Sequence, residues 1–219
     1  MAGATLLLYI ATGIADMVVS AQATVGADTA AKLASIAQHV PQMRIAILLT
    51  ILQIVYAVAL GVTLHALTRD EDRDVAMLGL AFRIGEGVVA SLPVALKLAL
   101  FALATSAAAD VAATRTSATV LLSLRGTTVA LGATLFALGS LCFSSLFVRA
   151  RSIPAWLAWL GLASSALLVV TLPLGAVGLF GGPLRLMQWL PMLVFEVVLA
   201  GWLIVRGVAP ARPPISSPT

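Results

Sequence analysis

The sequence predicts an all-α integral membrane protein, a bundle of about six transmembrane helices over residues 1–208 with both termini cytoplasmic. Three observations point there. Of 219 residues, 61% are hydrophobic and only 10% charged, whereas a soluble domain carries about 25% charged residues. The apolar residues fall in long runs, each near the roughly 20 residues that cross about 30 Å of hydrocarbon. No long polar region is left over, so a single membrane domain accounts for the chain.

The first run spans about Ala4 to Ser20, with Tyr9, Thr12, Gly13, Asp16 and Ser20 on one helical face. The rival reading is a cleaved signal peptide, because Ser20-Ala21-Gln22-Ala23 resembles a small-residue cleavage site. Against it stand an uncharged start and an acid inside the apolar core. Ala21 to Gln42 forms the longest polar connection, in which Asp28 caps a short interfacial helix that Pro41 ends.

The second run, Met43 to Thr68, opens at Arg44, carries Thr50, Gln53 and Tyr56 as a polar stripe, and closes at His65. Arg69-Asp70-Glu71-Asp72-Arg73-Asp74 follows. Asp70, Asp72 and Asp74 match the first three ligand positions of a calcium loop, but Val75 stands where glycine is needed and Ala81 where glutamate is needed. A solvated tight turn is the better reading.

The third run extends from near Val75 to about Thr105. Gly79, Arg83, Glu86, Ala90, Pro93 and Lys97 lie on one face, and Pro93 predicts a kink. A weak connection, Ala107 to Ser117, leads to the fourth run, about Ala118 to Val148, where Arg125, Thr128, Gly132, Phe136, Gly139 and Phe143 share a face. Arg149 to Pro154 is a basic turn with Pro154 opening the fifth helix. That helix ends near Leu172, where Pro173 and a glycine-rich stretch break it. Trp156 and Trp159 read as an interfacial belt. The sixth run is Met187 to Arg206, with Glu196 midway, and residues 209–219 read as a disordered proline-rich tail.

Six crossings put both termini on one side. Arg69, Arg73, Arg149, Arg151, Arg206 and Arg212 lie there, against Lys32, Arg115, Arg185 and the edge residue Arg44 opposite, so the positive-inside rule makes the terminal side cytoplasmic. The net charge of +4 is explained by these segment ends and the lipid headgroups they meet, not by nucleic acid. Cys142 is the one cysteine, which excludes an internal disulfide and a cysteine-cluster metal site. Eleven arginines against two lysines, with abundant alanine, point to a GC-rich bacterial genome and thus to a bacterial inner membrane.

Seven ionisable residues fall within or at the rim of these runs: Asp16, Arg44, Arg83, Glu86, Lys97, Arg125 and Glu196. Helical rise puts Glu86 and Glu196 near the midplane, Arg83 in the inner half, and Asp16, Arg44, Lys97 and Arg125 in the outer half. A charge at the centre costs at least about 2.5–3.5 kcal/mol, so these groups must face each other or water. They are the candidate ligand-binding residues. The leading reading is non-enzymatic: binding or transport of a small or amphipathic ligand in an outward-opening cavity where Asp16, Arg125, Glu86 and Glu196 converge. The bland alternative is an ion-pair network that only fixes helix packing in a structural or partner-binding subunit, with Arg83 pairing Glu86, and Arg125 reaching Asp16 or Glu196. A proton relay or membrane-embedded enzyme is the third. No histidine pair, Gly-x-Ser-x-Gly elbow or phosphate loop supports catalysis, and nothing calls for a metal or cofactor.

Four stretches together resemble a known bacterial multi-pass family, catalogued as domain of unknown function 4386. They are Met43-Arg44-Ile45; Ala76-Met77-Leu78 through Phe82-Arg83 to Glu86; Leu146 to Arg149 with Ile153-Pro154-Ala155-Trp156-Leu157 and Gly161; and Phe195-Glu196-Val197 with Trp202 to Gly207. The Pro-x-Trp-Leu and Phe-Glu…Trp-Leu…Gly patterns are the most specific, and the first run matches poorly. The resemblance implies an integral membrane protein of about this length, with no established activity and no catalytic residues to carry over.

Overall fold

The computed structural model describes residues 2–106, 111–182 and 184–207. Among these residues eight helices follow one another: α1 Ala2–Ala23, α2 Thr29–Gln38, α3 Val40–Thr68, α4 Arg73–Thr105, α5 Val111–Ala150, α6 Ala155–Ala176, α7 Leu184–Met187 and α8 Leu190–Val205. No strand occurs among the described residues. Six spans are long and apolar enough to cross a membrane, the sixth being α7 and α8 together. Both outer ends of the described chain therefore lie at one end of the bundle, the terminal end, and α2 lies at the other. The expected tail, residues 209–219, and Asp110 in the α4–α5 connection lie outside the described residues.

The helices close into a ring. α1 packs on α3, α3 on α4, α4 on α5 and α5 on α6, and α8 closes the circle against α6 and α1. One apolar core fills the ring, with Leu6, Leu60, Phe143, Phe147, Leu157, Leu168, Phe195 and Leu199 buried together. A smaller one, with Ile36, Met43, Ile47 and Leu100, seals the α2 end. The outer faces stay apolar and exposed, as at Met17, Val55, Val88 and Val170. With 30 Å of hydrocarbon around it, such a surface needs no polar cover. α1 is built into this ring, between α3 and α8.

Helix ends follow local chemistry, and several differ from the sequence reading. Asp28 caps α2 as expected, accepting from the Ala31 N–H at 2.7 Å. Pro41 does not end that helix. α2 stops at His39, and Pro41 lies in the first turn of α3, where a missing N–H is harmless. α4 runs unbroken through Pro93. α5 begins at Val111, seven residues before the expected start, because Ala112 to Ser117 continue the helix. Pro173 does not break α6, which runs on to Ala176; the helix has only one more turn to complete there. The sixth span divides at Gln188 and Trp189, with Pro191 in the first turn of α8.

The charged turn before α4 is a cap and a latch. Asp72 precedes the helix and accepts from the Val75 N–H at 3.2 Å. Its other oxygen accepts from Arg149 Nη1 at 3.0 Å, tying the start of α4 to the end of α5. The Val75 N–H, and after it the Arg149 guanidinium, hold the Asp72 carboxyl below the usual carboxylate range. A group of this kind stabilises the fold above its unfolded value, about 3.9, and the stabilisation is lost as pH falls through the lower folded value. Asp72→Ala is therefore expected to lower the melting temperature in detergent at neutral pH, with the deficit shrinking below about pH 4. Asp72→Asn, which keeps the cap and loses the ion pair, should fall between. A deficit independent of pH would contradict the electrostatic part.

Candidate functional site

The interior of the ring is polar at two levels, both hung on α4. Residues 83, 86 and 97 share one face of that helix by helical spacing, and the apolar remainder of the span turns them inward.

The first level is centred on Arg83, which is only 1% exposed. Its Nη1 lies 2.9 Å from Glu86 Oε2, one turn along the same helix. From α1, the Tyr9 hydroxyl donates to Glu86 Oε1 at 2.6 Å. The guanidinium carbon stands 5.0 Å from the Tyr9 ring centre and 4.9 Å from that of Phe136 on α5. Those two rings are stacked at 6.2 Å, and Trp189 tilts against Phe136 at 6.1 Å. Desolvated cation–π contacts are worth up to about 2 kcal/mol each, so the aromatic faces offset part of the lost hydration. Two glycines make room. A Cβ on Gly61 of α3 would lie 2.7 Å from Arg83 Cβ, and one on Gly139 of α5 would lie 3.0 Å from Arg83 Cδ.

This level is short of hydrogen bonds. Among the described residues, none of the three guanidinium nitrogens, nor Glu86 Oε2, has one. The 2.9 Å contact is an ion pair whose N–H vectors do not aim at the oxygen. Glu196 on α8 is half-buried and interacts electrostatically with Arg83 and Glu86. Among the described residues it makes no ion pair.

The second level lies 14 residues along α4, about 21 Å away at 1.5 Å per residue. Lys97, 1% exposed, points its ammonium at Asp16 Oδ1 of α1, Thr50 Oγ1 of α3 at 2.7 Å, and the Ala46 carbonyl at 3.3 Å. Asp16 also accepts from Ser20 at 2.9 Å and from Thr50 at 3.1 Å. All three ammonium protons have acceptors, so this knot is closed. Arg125 is half-buried on α5, attracted by Asp16 and repelled by Lys97, and forms no ion pair with Asp16. Arg44 is exposed in the second turn of α3, its guanidinium 5.9 Å from the Phe101 ring.

The seven sequence candidates thus divide. Arg83, Glu86 and Glu196 gather at one level, Asp16, Lys97 and Arg125 at the other, and Arg44 sits at the rim. The expected meeting of Asp16 and Arg125 with Glu86 and Glu196 does not occur, because the two levels are too far apart along α4. Arg83 pairs Glu86 as expected, whereas Asp16 takes Lys97 as its partner, not Arg125. Two depressions, about 260 and 720 Å³, lie near the α2 end along residues such as Leu33 and Arg115, or Ala102 and Val120. Neither is lined by any of the seven. Tyr9, Phe136 and Thr50 complete the knots, and each stood on a polar or interior face in the sequence without being singled out. Among the described residues, no three of His, Cys, Asp and Glu gather to hold a metal.

Six apolar spans around buried ion pairs define a multi-pass integral membrane protein. The chain belongs to the family described as Domain of unknown function (DUF4386), whose family model matches residues 1–207. No curated protein matches the chain. No solved structure matches it either.

The glycine notch around Arg83 has a measurable consequence. Gly61→Ala would push a methyl group into the Arg83 stem close to the α4 backbone, which cannot yield, and should destabilise by about 1–3 kcal/mol. Gly201→Ala, where nothing lies within 4 Å of the new Cβ, should leave the melting temperature unchanged or slightly raised. Equal effects at both positions would contradict the packing described.

Proposed function

We propose that this protein binds or carries a small or amphipathic ligand at the Arg83 level, with Arg83 as the anchoring donor and Glu86 and Glu196 beside it. One observation carries this reading. Arg83 is buried, yet its nitrogens have no hydrogen bond. Buried polar groups are nearly always satisfied, and each unsatisfied one costs about 1–3 kcal/mol. A ligand that brings acceptor oxygens would relieve that cost. We place the protein in the bacterial inner membrane with both termini cytoplasmic, on the excess of arginine at the terminal end. Its partners on this reading are the lipid bilayer and the ligand, with no role for nucleic acid.

A second reading has its own support. The fit of Gly61 and Gly139 around the Arg83 stem favours a clasp that only fixes helix packing. Native mass spectrometry of protein extracted in mild detergent separates the two. A bound ligand should appear as a co-purifying mass on the wild type and on Lys97→Met, and be lost from folded Arg83→Met. A bare wild type, or the same adduct on Arg83→Met, would leave the clasp as the function of this level.

A further inference from the structure

α5 and α6 pack side by side, although α5 has 40 residues and α6 only 22. One contact sets their register. A Cβ on Gly161 of α6 would lie 2.8 Å from Ser144 Oγ of α5. From that level α6 runs on to Ala176, about 22 Å, whereas α5 reaches back to Val111, about 50 Å. α5 therefore overhangs α6 by about 27 Å toward the α2 end. α4 overhangs it too. A Cβ on Gly79 would meet Phe143 at 3.0 Å, and Thr105 lies about 39 Å further along that helix. Tilt does not absorb the difference, because α6 tilts with the helix it packs on. The 22 residues of α6, about 33 Å, already cross one hydrocarbon thickness. The polarity of α5 changes at the same height. Val129, level with the end of α6, opens its apolar part, while Ser, Thr and Arg make up nine of residues 114–128. α2 and the ends of α3, α4 and α5 thus form a head beyond the hydrocarbon, sealed by Ile36, Met43, Leu100 and Ala118.

The depression of about 260 Å³ lies in this head, between α2, α4 and α5. Leu33, Ala34, Ala37, Leu103 and Val111 give it an apolar lining, and Arg115 adds a cation. By helical rise Arg115 stands about 21 Å past the end of α6, beyond the headgroup layer, which adds only about 5–8 Å per leaflet. Arg115 is exposed and joins no ion pair among the described residues. An apolar groove in water gains by being covered, and a free guanidinium beside it pairs the two oxygens of a carboxylate side by side. The volume, near the lower limit of about 300 Å³ for small-ligand sites, suits one short chain and not a two-chain lipid. We propose that this groove binds a medium-chain carboxylate from the aqueous phase, with its carboxylate on Arg115 and its chain along Leu33 and Leu103. The site lies about 36 Å along α5 from Gly139, so it stands apart from the ligand reading of the Arg83 level.

Photolabelling in lipid nanodiscs tests the proposal, with a diazirine-bearing decanoate as probe and peptide mass spectrometry as readout. Label should fall on the peptides of Leu33, Leu103 and Val111, and decanoate should displace it while decanol does not. Ala34→Trp and Ala37→Trp fill the groove from exposed positions, so the label should be lost from protein that melts like the wild type. Arg115→Gln should weaken displacement by decanoate about tenfold. The height of the head is read separately. In a Cys142→Ser background, Val120→Cys should react with a charged maleimide and Val170→Cys, on the lipid face of α6, should not. Label confined to the outer faces of α6 and α8, label kept by both tryptophan variants, equal displacement by decanol, or a Val120→Cys as unreactive as Val170→Cys would overturn the proposal.

Discussion

A guanidinium and a carboxylate cannot enter hydrocarbon separately, and the arrangement of this ring follows from carrying both on one helix. Arg83 and Glu86 stand one turn apart on α4, so the pair forms with the helix and directs that face inward. Everything nearby accommodates it. α3 and α5 approach α4 through Gly61 and Gly139, because any larger residue would meet the arginine stem. Tyr9 brings a hydroxyl for the carboxylate and, with Phe136, a ring face for the cation. Desolvation opposes the burial of both ions, and the pair, the hydroxyl and the aromatic faces together offset it.

The second knot repeats the principle at another depth with a different outcome. The Lys97 ammonium uses its three protons on the Asp16 carboxylate, the Thr50 hydroxyl and the Ala46 carbonyl. α1 is thereby bonded to α4 at two levels, through Tyr9–Glu86 and Asp16–Lys97, although it packs chiefly on α3 and α8. Long side chains reach across the ring where backbones do not. α8 lacks such a tie. Its one ionisable residue, Glu196, joins no ion pair among the described residues.

Much of this was legible in the sequence. Long apolar runs set the number of spans, since hydrocarbon thickness leaves little choice of length. The common face of Arg83, Glu86 and Lys97 followed from helical spacing, and so did the Arg83–Glu86 pair. Pairing between helices was not legible. The sequence reading paired Asp16 with Arg125, whereas the ring arrangement, with α3 between α1 and α4, brings the Lys97 side chain across to it. Spacing along single helices also suggested one shared cavity, whereas the distance between levels, fixed by α4 itself, makes two knots. Pro41 was misread as a helix end because a first-turn proline loses no intrahelical bond, and Pro173 because a membrane-spanning helix can continue through an interior proline, as α4 does at Pro93.

If the Arg83–Glu86 pair is what the ring is built around, its energetics must be those of a buried pair. The direct test is a double-mutant cycle on unfolding free energy in lipid nanodiscs or mixed micelles, using Arg83→Met, Glu86→Leu and the two combined. Either single change strands an ion in the interior and should destabilise by about 3–5 kcal/mol, while the combined change should recover most of the loss. Single variants that unfold like the wild type, or losses that simply add, would contradict the account.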